Sequence, residues 1–353
     1  RSTPLYSSAA SDVYKRQEVY FQEGELTMKK DLKWAVLGTG IIANEMAQAL
    51  GKMDKKLYAV ANRTHEKAVD FAKKYGVEKV YDKIEDMFYD DETDIIYITT
   101  PHNTHIKFMI EALKNGKHVL CEKSITLNSE ELEEAIKLAK EKNLILGEAM
   151  TIFNMPLYAE LLEIVNSGKL GDVKMIQVNF GSYKEYDMTN RFFNRNLAGG
   201  ALLDIGVYAI SITRLFMTSK PNNVLSQVKY APTGVDEQVG IIMMNKEQQM
   251  STIALTLHSK QPKRVILACE KAYIEITEYP RADKAKIVYT ETGEVQEILS
   301  GITANALQYE LQNMEESVRT GINKMKLDYT VDVMDIMTKL RKGWGMTYPE
   351  EEV

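Results

Sequence analysis

Two segments place ionisable groups where the surrounding residues are apolar. Val119-Leu120-Cys121 runs directly into Glu122-Lys123-Ser124, and Ala201-Leu202-Leu203 runs into Asp204-Ile205-Gly206-Val207-Tyr208. A lysine at the end of a strand can hydrogen-bond a substrate oxygen and, with a depressed pKa, help to move its proton. In isolation Glu122-Lys123 would read as a surface ion pair. The second segment changes that weighting, because an acidic residue inside an apolar stretch needs a partner: an unpaired buried charge is costly. Asp204 and Tyr208, four residues apart, share one face of a helix. An aromatic loop ending in glycines, Phe192-Phe193-Asn194-Arg195-Asn196-Leu197-Ala198-Gly199-Gly200, leads into that helix.

A second group of residues is suited to holding phosphate. Gly38-Thr39-Gly40-Ile41-Ile42-Ala43 fits G-x-G-x-x-G/A between a strand-like run and a helix-like one. Gly38 permits the tight turn, Gly40 lets the backbone approach a pyrophosphate, and Ala43 allows close helix–strand packing. Placed first in a strand–turn–helix–strand unit, the pattern predicts a dinucleotide site. An NAD site usually carries Asp or Glu at the end of the next strand. Here that strand ends Ala61-Asn62-Arg63-Thr64. Asn62 can bond a ribose oxygen, and Arg63 can pair with a 2′-phosphate, so NADP(H) is preferred, with NAD(H) as the other candidate. Thr99-Thr100-Pro101-His102-Asn103-Thr104-His105 follows the third strand. Its two histidines lack a visible third ligand, which argues against a metal. The loop instead adds Thr100, Pro101, Asn103 and His105 to the cofactor-binding candidates Gly38, Thr39, Gly40, Ile41, Ile42, Asn62, Arg63, Glu122 and Lys123. Asn103 or Thr104 is expected to cap the next helix.

The elements that must position these residues follow from periodicity. Trp34–Leu37, Leu57–Ala61, Asp94–Thr100, His118–Cys121 and Leu144–Leu146 are short apolar runs. Between them lie helical patterns over Ile41–Gly51, after Thr64, around Ile106–Leu113 and after Ser129, with Thr64 and Ser129 as expected caps. Continuously apolar strands alternating with helices predict a doubly wound parallel sheet covered on both faces. After Met150 the rhythm changes. Pro156–Ser167 and a long apolar stretch, Leu202–Met217, read as helices. Val173–Phe180, Val224–Tyr230, Val235–Met243, Met250–His258, Val265–Ala268, Ala272–Thr277 and Ala285–Tyr289 read as strands, and Asn305–Thr320 and Tyr329–Lys342 as terminal helices. This second half is α+β.

Composition bounds the rest. The chain has 353 residues, of which 44% are hydrophobic and 27% charged, which is ordinary for a globular protein and long enough for about two domains. The formal charge of −6 gives no source of affinity for nucleic acid or an anionic membrane. No uninterrupted apolar run approaches the ~18 residues of a spanning helix. Cys121 and Cys269 make no disulfide framework. Residues 1–27 lack both the apolar core of a secretory signal and any periodicity, so residues 1–30 read as a leader or tag. The expectation is a cytoplasmic protein with a dinucleotide-binding domain over 31–150 and a second domain over 151–349.

Taken together, the glycine turn, the Glu122-Lys123 strand end and Gly199-Gly200-Ala201-Leu202-Leu203-Asp204-Ile205-Gly206-Val207-Tyr208 resemble the glucose–fructose oxidoreductase / inositol dehydrogenase / MocA (Gfo/Idh/MocA) family over about residues 31–349. Tyr208, standing where inositol dehydrogenases carry His, makes the chain most similar to the branch of dimeric dihydrodiol dehydrogenase and glucose–fructose oxidoreductase. The resemblance implies an N-terminal Rossmann domain and a C-terminal α+β domain built on a large, mostly antiparallel open sheet. It implies an NAD(P)-dependent oxidoreductase that passes hydride between nicotinamide and a secondary alcohol or carbonyl of a sugar, polyol or diol. Carried over, Lys123 and Tyr208 contact the reacting oxygen and Asp204 supports them. The resemblance also implies a homodimer, or a dimer of dimers, paired through the C-terminal sheet. A non-catalytic dinucleotide-binding sensor of the same fold is the alternative, and a reductase of an unsaturated or pyrrolic substrate a third reading. Two departures stand out. Glu122-Lys123-Ser124 replaces Glu-Lys-Pro, removing a φ-fixed residue. Thr151, Ile152, Phe153 and Asn154 replace the aromatic and basic residues of many relatives, which predicts a less polar substrate pocket.

Overall fold

The computed structural model describes residues 31–352, so the expected leader over residues 1–30 lies outside the described residues. The first half alternates strand and helix: β1 (Trp34–Leu37), α1 (Ile41–Lys52), β2 (Ala59–Ala61), α2 (His65–Tyr75), β3 (Lys79–Val80), α3 (Ile84–Tyr89), β4 (Ile95–Ile98), α4 (His105–Lys114), β5 (His118–Glu122), α5 (Ser129–Glu141) and β6 (Leu146–Ala149). The strands form a parallel sheet in the order β3-β2-β1-β4-β5-β6. Every residue of β1, β4 and β6 is buried, as continuously apolar strands covered on both faces must be. Leu37 is in register with Ala61 on one side and Ile98 on the other. The strand order reverses at β1, and the crevice beyond the carboxyl ends of the strands at such a reversal is where ligands bind.

The second half comprises α6 (Pro156–Asn166), β7 (Val173–Gly181), α7 (Val207–Phe216), β8 (Asn223–Tyr230), β9 (Asp236–Met244), β10 (Met250–Thr256), β11 (Gln261–Cys269), β12 (Ala272–Thr277), β13 (Lys284–Tyr289), β14 (Val295–Leu299), α8 (Ala306–Thr320) and α9 (Leu327–Trp344). Its strands form an eight-stranded sheet ordered β14-β13-β12-β11-β7-β10-β9-β8, antiparallel except for the β7–β10 pair. One face buries alternate residues such as Ile176, Val178, Ile253 and Leu267 in a single apolar cluster with Ile210 and Ile212 of α7. The two terminal helices return to the first half. Leu307, Leu311 and Met314 of α8 join Trp34, Met46 and Leu50 in one cluster, and the Trp34 indole donates to Glu315 at 3.1 Å. From Leu32 onward the chain is one compact unit.

Several local expectations are corrected. Leu202–Met217 is not one α-helix. It opens with a π-helical turn, Leu202–Gly206, before α7. The side chain capping α5 is Asn128, which accepts from the Glu131 N–H at 2.9 Å, and not Ser129. Thr64 and Thr104 occupy N-cap positions without capping through their side chains. The Thr104 hydroxyl lies against the Thr100 hydroxyl and the Pro101 carbonyl instead, at 2.8 and 2.7 Å. The elements β3, α3 and β14 lacked a sequence signal because β3 is two residues long, α3 is six, and four of the five β14 residues are exposed. Among the described residues, one stretch, Arg195–Phe216, is apolar and long enough for a bilayer span, and it is 83% buried over its most apolar window, so its apolarity serves the core.

Candidate active site

The glycine turn sits at the carboxyl end of β1. Gly38 has φ +109°, and a Cβ there would stand 2.5 Å from the Thr99 hydroxyl, so both its conformation and the close approach of β4 require glycine. A Cβ on Gly40 would meet nothing within 4 Å and would project into a cleft. That cleft consists of two cavities that share Gly40, Thr99, Thr100, Pro101 and Leu197. One, about 650 Å³, is lined by Gly38, Thr39, Asn62, Arg63, Lys67, Asn103 and Phe108. The other, about 460 Å³, is lined by Ile41, Ile42, His102, Glu122, Lys123, Arg191 and Tyr208. An elongated cleft along a helix N-terminus, with backbone bare at Gly40, fits a dinucleotide. Arg63 and Lys67 are both exposed at the far end. Asn62 is already engaged: it donates to the Thr39 hydroxyl at 2.7 Å and accepts from the Thr64 N–H at 2.9 Å.

At the other end the two ionisable segments meet. The Lys123 ammonium donates to the Asp204 carbonyl oxygen at 2.7 Å, lies 3.5 Å from its carboxylate, and stands 4.6 Å from the centre of the Tyr208 ring. The same Asp204 oxygen is 3.6 Å from Arg191. The Tyr208 hydroxyl has no protein hydrogen-bond partner among the described residues and faces the smaller cavity. Tyr97 donates its hydroxyl to Glu122, holding that side chain at the end of β5. The Lys123–Ser124 peptide is cis, and the Ser124 hydroxyl donates to the Leu203 carbonyl at 3.0 Å, tying this loop to the π-turn where the family has proline.

The charges settle as follows. Burial pushes the Lys123 pKa down, but Tyr208, Asp204 and Glu122 together push it above the ordinary lysine value. The expected depression is therefore corrected: Lys123 is held as a cation. Burial works to raise Asp204, and the cations Lys123 and Arg191 outweigh it and keep the carboxylate charged. Burial raises Tyr208, with Lys123 opposing. Burial also raises Glu122, against the Tyr97 hydrogen bond and the Lys123 charge.

The profile described as "Oxidoreductase family, NAD-binding Rossmann fold" matches residues 32–150, and that of the "GFO/IDH/MocA C-terminal domain" matches 158–275. The chain belongs to the Gfo/Idh/MocA family. Trans-1,2-dihydrobenzene-1,2-diol dehydrogenase from Xenopus laevis is 29% identical over 329 residues, covering 90% of this chain and 99% of that protein. The human enzyme of the same name is 26% identical, covering 91% and 99%. Among solved structures, a 3-ketoreductase from Actinomadura kijaniata in complex with NADP and TDP-benzene superposes with a TM-score of 0.80 at 18% identity, covering 88% of this chain and 97% of that one. A levoglucosan dehydrogenase in complex with NADH and levoglucosan gives 0.79 at 17%, covering 89% and 97%. The family's Rossmann domain binds a nicotinamide nucleotide, which is the cofactor the cleft here is shaped for.

This Gfo/Idh/MocA member departs from its sequence reading at three places. His105 is fully buried behind the cleft and lines neither cavity; its ring nitrogens lie 2.8 Å from the Thr100 carbonyl and 3.0 Å from that of Ser124, so it fixes backbone. His102 is the histidine on the cavity, 3.1 Å from the Lys123 carbonyl oxygen. Thr151, Ile152, Phe153 and Asn154 are buried and line neither cavity, so they do not set the polarity of the cleft. The cleft residues missed include two cations, Lys67 and Arg191. Lys67 follows Arg63 by one helical turn, and that spacing was available as a signal. Arg191 stands beside the aromatic loop already singled out, but only the fold brings it to Asp204.

Proposed function

We propose that this protein is an NADP(H)-preferring oxidoreductase that interconverts a secondary alcohol and a carbonyl on a sugar, polyol or diol. One observation carries this reading: a tyrosine hydroxyl without a protein partner opens on the cleft while a charged lysine sits 4.6 Å from its ring. A nicotinamide dinucleotide bound along the glycine turn supplies the hydride donor or acceptor. Lys123 spends one N–H on the Asp204 carbonyl and has two left for the reacting oxygen. Tyr208 holds the exchangeable proton at its phenolic oxygen and passes it to or from that oxygen, while the lysine charge favours the phenolate that results. Asp204, between Lys123 and Arg191, keeps the ammonium charged and aimed. A non-catalytic sensor has no use for such a set.

Arg63 and Lys67, both exposed and neither paired with a carboxylate among the described residues, support recognition of a 2′-phosphate. The substrate class rests on the dihydrodiol dehydrogenase relatives and on the neighbouring sugar enzymes. The test is a panel of diols, sugars and their carbonyl counterparts followed by cofactor absorbance. Turnover of at least one, abolished in Lys123→Met, is expected. Dinucleotide binding with no turnover across the panel would favour the sensor.

A further inference from the structure

A half-buried lysine, Lys184, lies beside the proposed catalytic group without a partner of its own. It follows the end of β7, its backbone N–H bonded to the Leu257 carbonyl at 2.7 Å. Its ammonium stands 4.1 Å from the centre of the Phe192 ring, and the Arg191 guanidinium stands at the same 4.1 Å from that ring. Arg191 in turn meets Asp204, which meets Lys123. Lys263, over Phe180 at 5.3 Å, is a further cation close enough to act on Lys184, as are Lys123 and Arg191. Two carboxylates answer them. Glu278 pairs with Lys263 at 2.9 Å, and Asp204 is shared between Lys123 and Arg191. No carboxylate pairs with Lys184 among the described residues. Burial, together with Arg191, Lys123 and Lys263, pushes its pKa down against the pull of Asp204. A positive charge that is partly desolvated and crowded by like charges is relieved by an anion.

We infer that Arg191, which lines the smaller cavity, and Lys184, which shares the Phe192 ring with it, form a subsite for an oxyanion carried by the substrate, a carboxylate or a phosphate, next to the carbon that is oxidised. The inference rests on the oxidoreductase reading above and narrows it to acidic sugars, hydroxy acids or their phosphates. Arg191 supplies a planar fork for two oxygens, and Lys184 a point charge. Phe192 packs against both cations.

Three ligands that share one pyranose ring and differ at C6 test this: glucose, glucuronate and glucose 6-phosphate. Binding to the full chain is measured by calorimetry, with and without saturating NADP+, at fixed ionic strength. At least one of the two anions should bind tenfold or more tighter than glucose. Gain for glucuronate alone marks a carboxylate site, and gain for glucose 6-phosphate alone marks a phosphate site. Lys184→Met should bring the anion-to-glucose ratio below threefold, and Lys184→Arg should restore it, which a merely structural lysine would not do. Equal affinity for all three ligands, or an anion gain undiminished in Lys184→Met, overturns the inference. If the gain is present but NADP+ does not bind, the subsite stands and the oxidoreductase reading fails.

Discussion

At the scale of single residues, the chemistry depends on one hydroxyl. Tyr208→Phe keeps the ring under Lys123 and removes only the proton donor. Turnover should fall by about 10²–10⁴-fold, the usual weight of general acid–base assistance, with NADPH affinity changed by no more than a few fold. Unaltered turnover in that variant would make Tyr208 a packing residue. Because burial raises the Tyr208 pKa, the hydroxyl is protonated near neutral pH. Alcohol oxidation, which needs the phenolate as base, should therefore speed up from about pH 6 to about pH 9, whereas carbonyl reduction should not. Initial rates in both directions across that range check the sign. Arg63 belongs to the same scale. Arg63→Ala removes the charge that stands where an NAD site carries a carboxylate, and the NADPH/NADH affinity ratio should drop by tenfold or more. Fluorescence titration with each nucleotide measures it, and an unchanged ratio would remove Arg63 from the site.

At the scale of elements, the sharpest constraint is the entry into α7. The π-turn Leu202–Gly206 carries Asp204 to Lys123, and π-turns recur where a helix is deformed for function. Asp236 anchors it by accepting the Leu202 N–H at 2.6 Å. Gly200, at φ +125°, lies so close that a Cβ would be 2.1 Å from the other Asp236 oxygen. Burial raises Asp236 to about 7 and, on β6, Glu148 to about 7. Both carboxyls thus hold a proton in the folded chain where the unfolded chain, titrating near 4, has released it. Their contribution to stability is present below about pH 4 and is lost as pH rises through about 7. The share of the melting temperature owed to these two carboxyls should accordingly decline with rising pH across that window, against the opposite trend of His102, His105 and His118, whose pKa values burial lowers. Glu148→Gln should flatten part of the slope, since an amide can still accept from the Ile125 N–H and bond Thr330, as the carboxyl does at 3.1 and 2.9 Å. A slope identical to that of the unmodified protein would mean Glu148 is charged in the fold.

At the scale of the whole molecule, the second sheet has one face packed on helices and one that is open. Across the open face Leu225 is opposite Ile242, and a second row runs Met244, Met250, Met175, Ala268 and Tyr273. Leu225 is 63% exposed and Ile242 46%. These apolar rows are bordered by Thr252, Gln177 and Glu275, and an exposed apolar patch rimmed by polar residues marks an interaction site. We expect a homodimer paired through it, with light scattering at micromolar concentration giving at least twice the chain mass. Ile242→Glu should return a monomer, because it sets an unpaired charge within the apolar patch that the pairing would bury. A monomer before any substitution would refute the interface.

The first sheet and its cofactor turn were legible because their information is local. Trp34–Leu37 and Ile95–Ile98 are apolar at every position, which fits only a strand covered on both faces, and Gly38 and Gly40 lie at fixed offsets from that strand's end. Arg63 could be read for the same reason, since the end of a neighbouring parallel strand has one place in such a sheet. Strands such as β9 and β12 were visible because alternate residues are buried, and β14, with one buried residue in five, was lost. What the tertiary structure decided is every contact that crosses the chain. Lys123 meets Asp204 across 81 residues, and α8, late in the chain, packs on β1 near its start. Burial decides the charges there as well. A lysine read as depressed is held positive, because three acidic neighbours, not its own segment, set the balance. Periodicity records which face of an element is apolar, but only the packed fold fixes which other element covers that face, and therefore which charges meet.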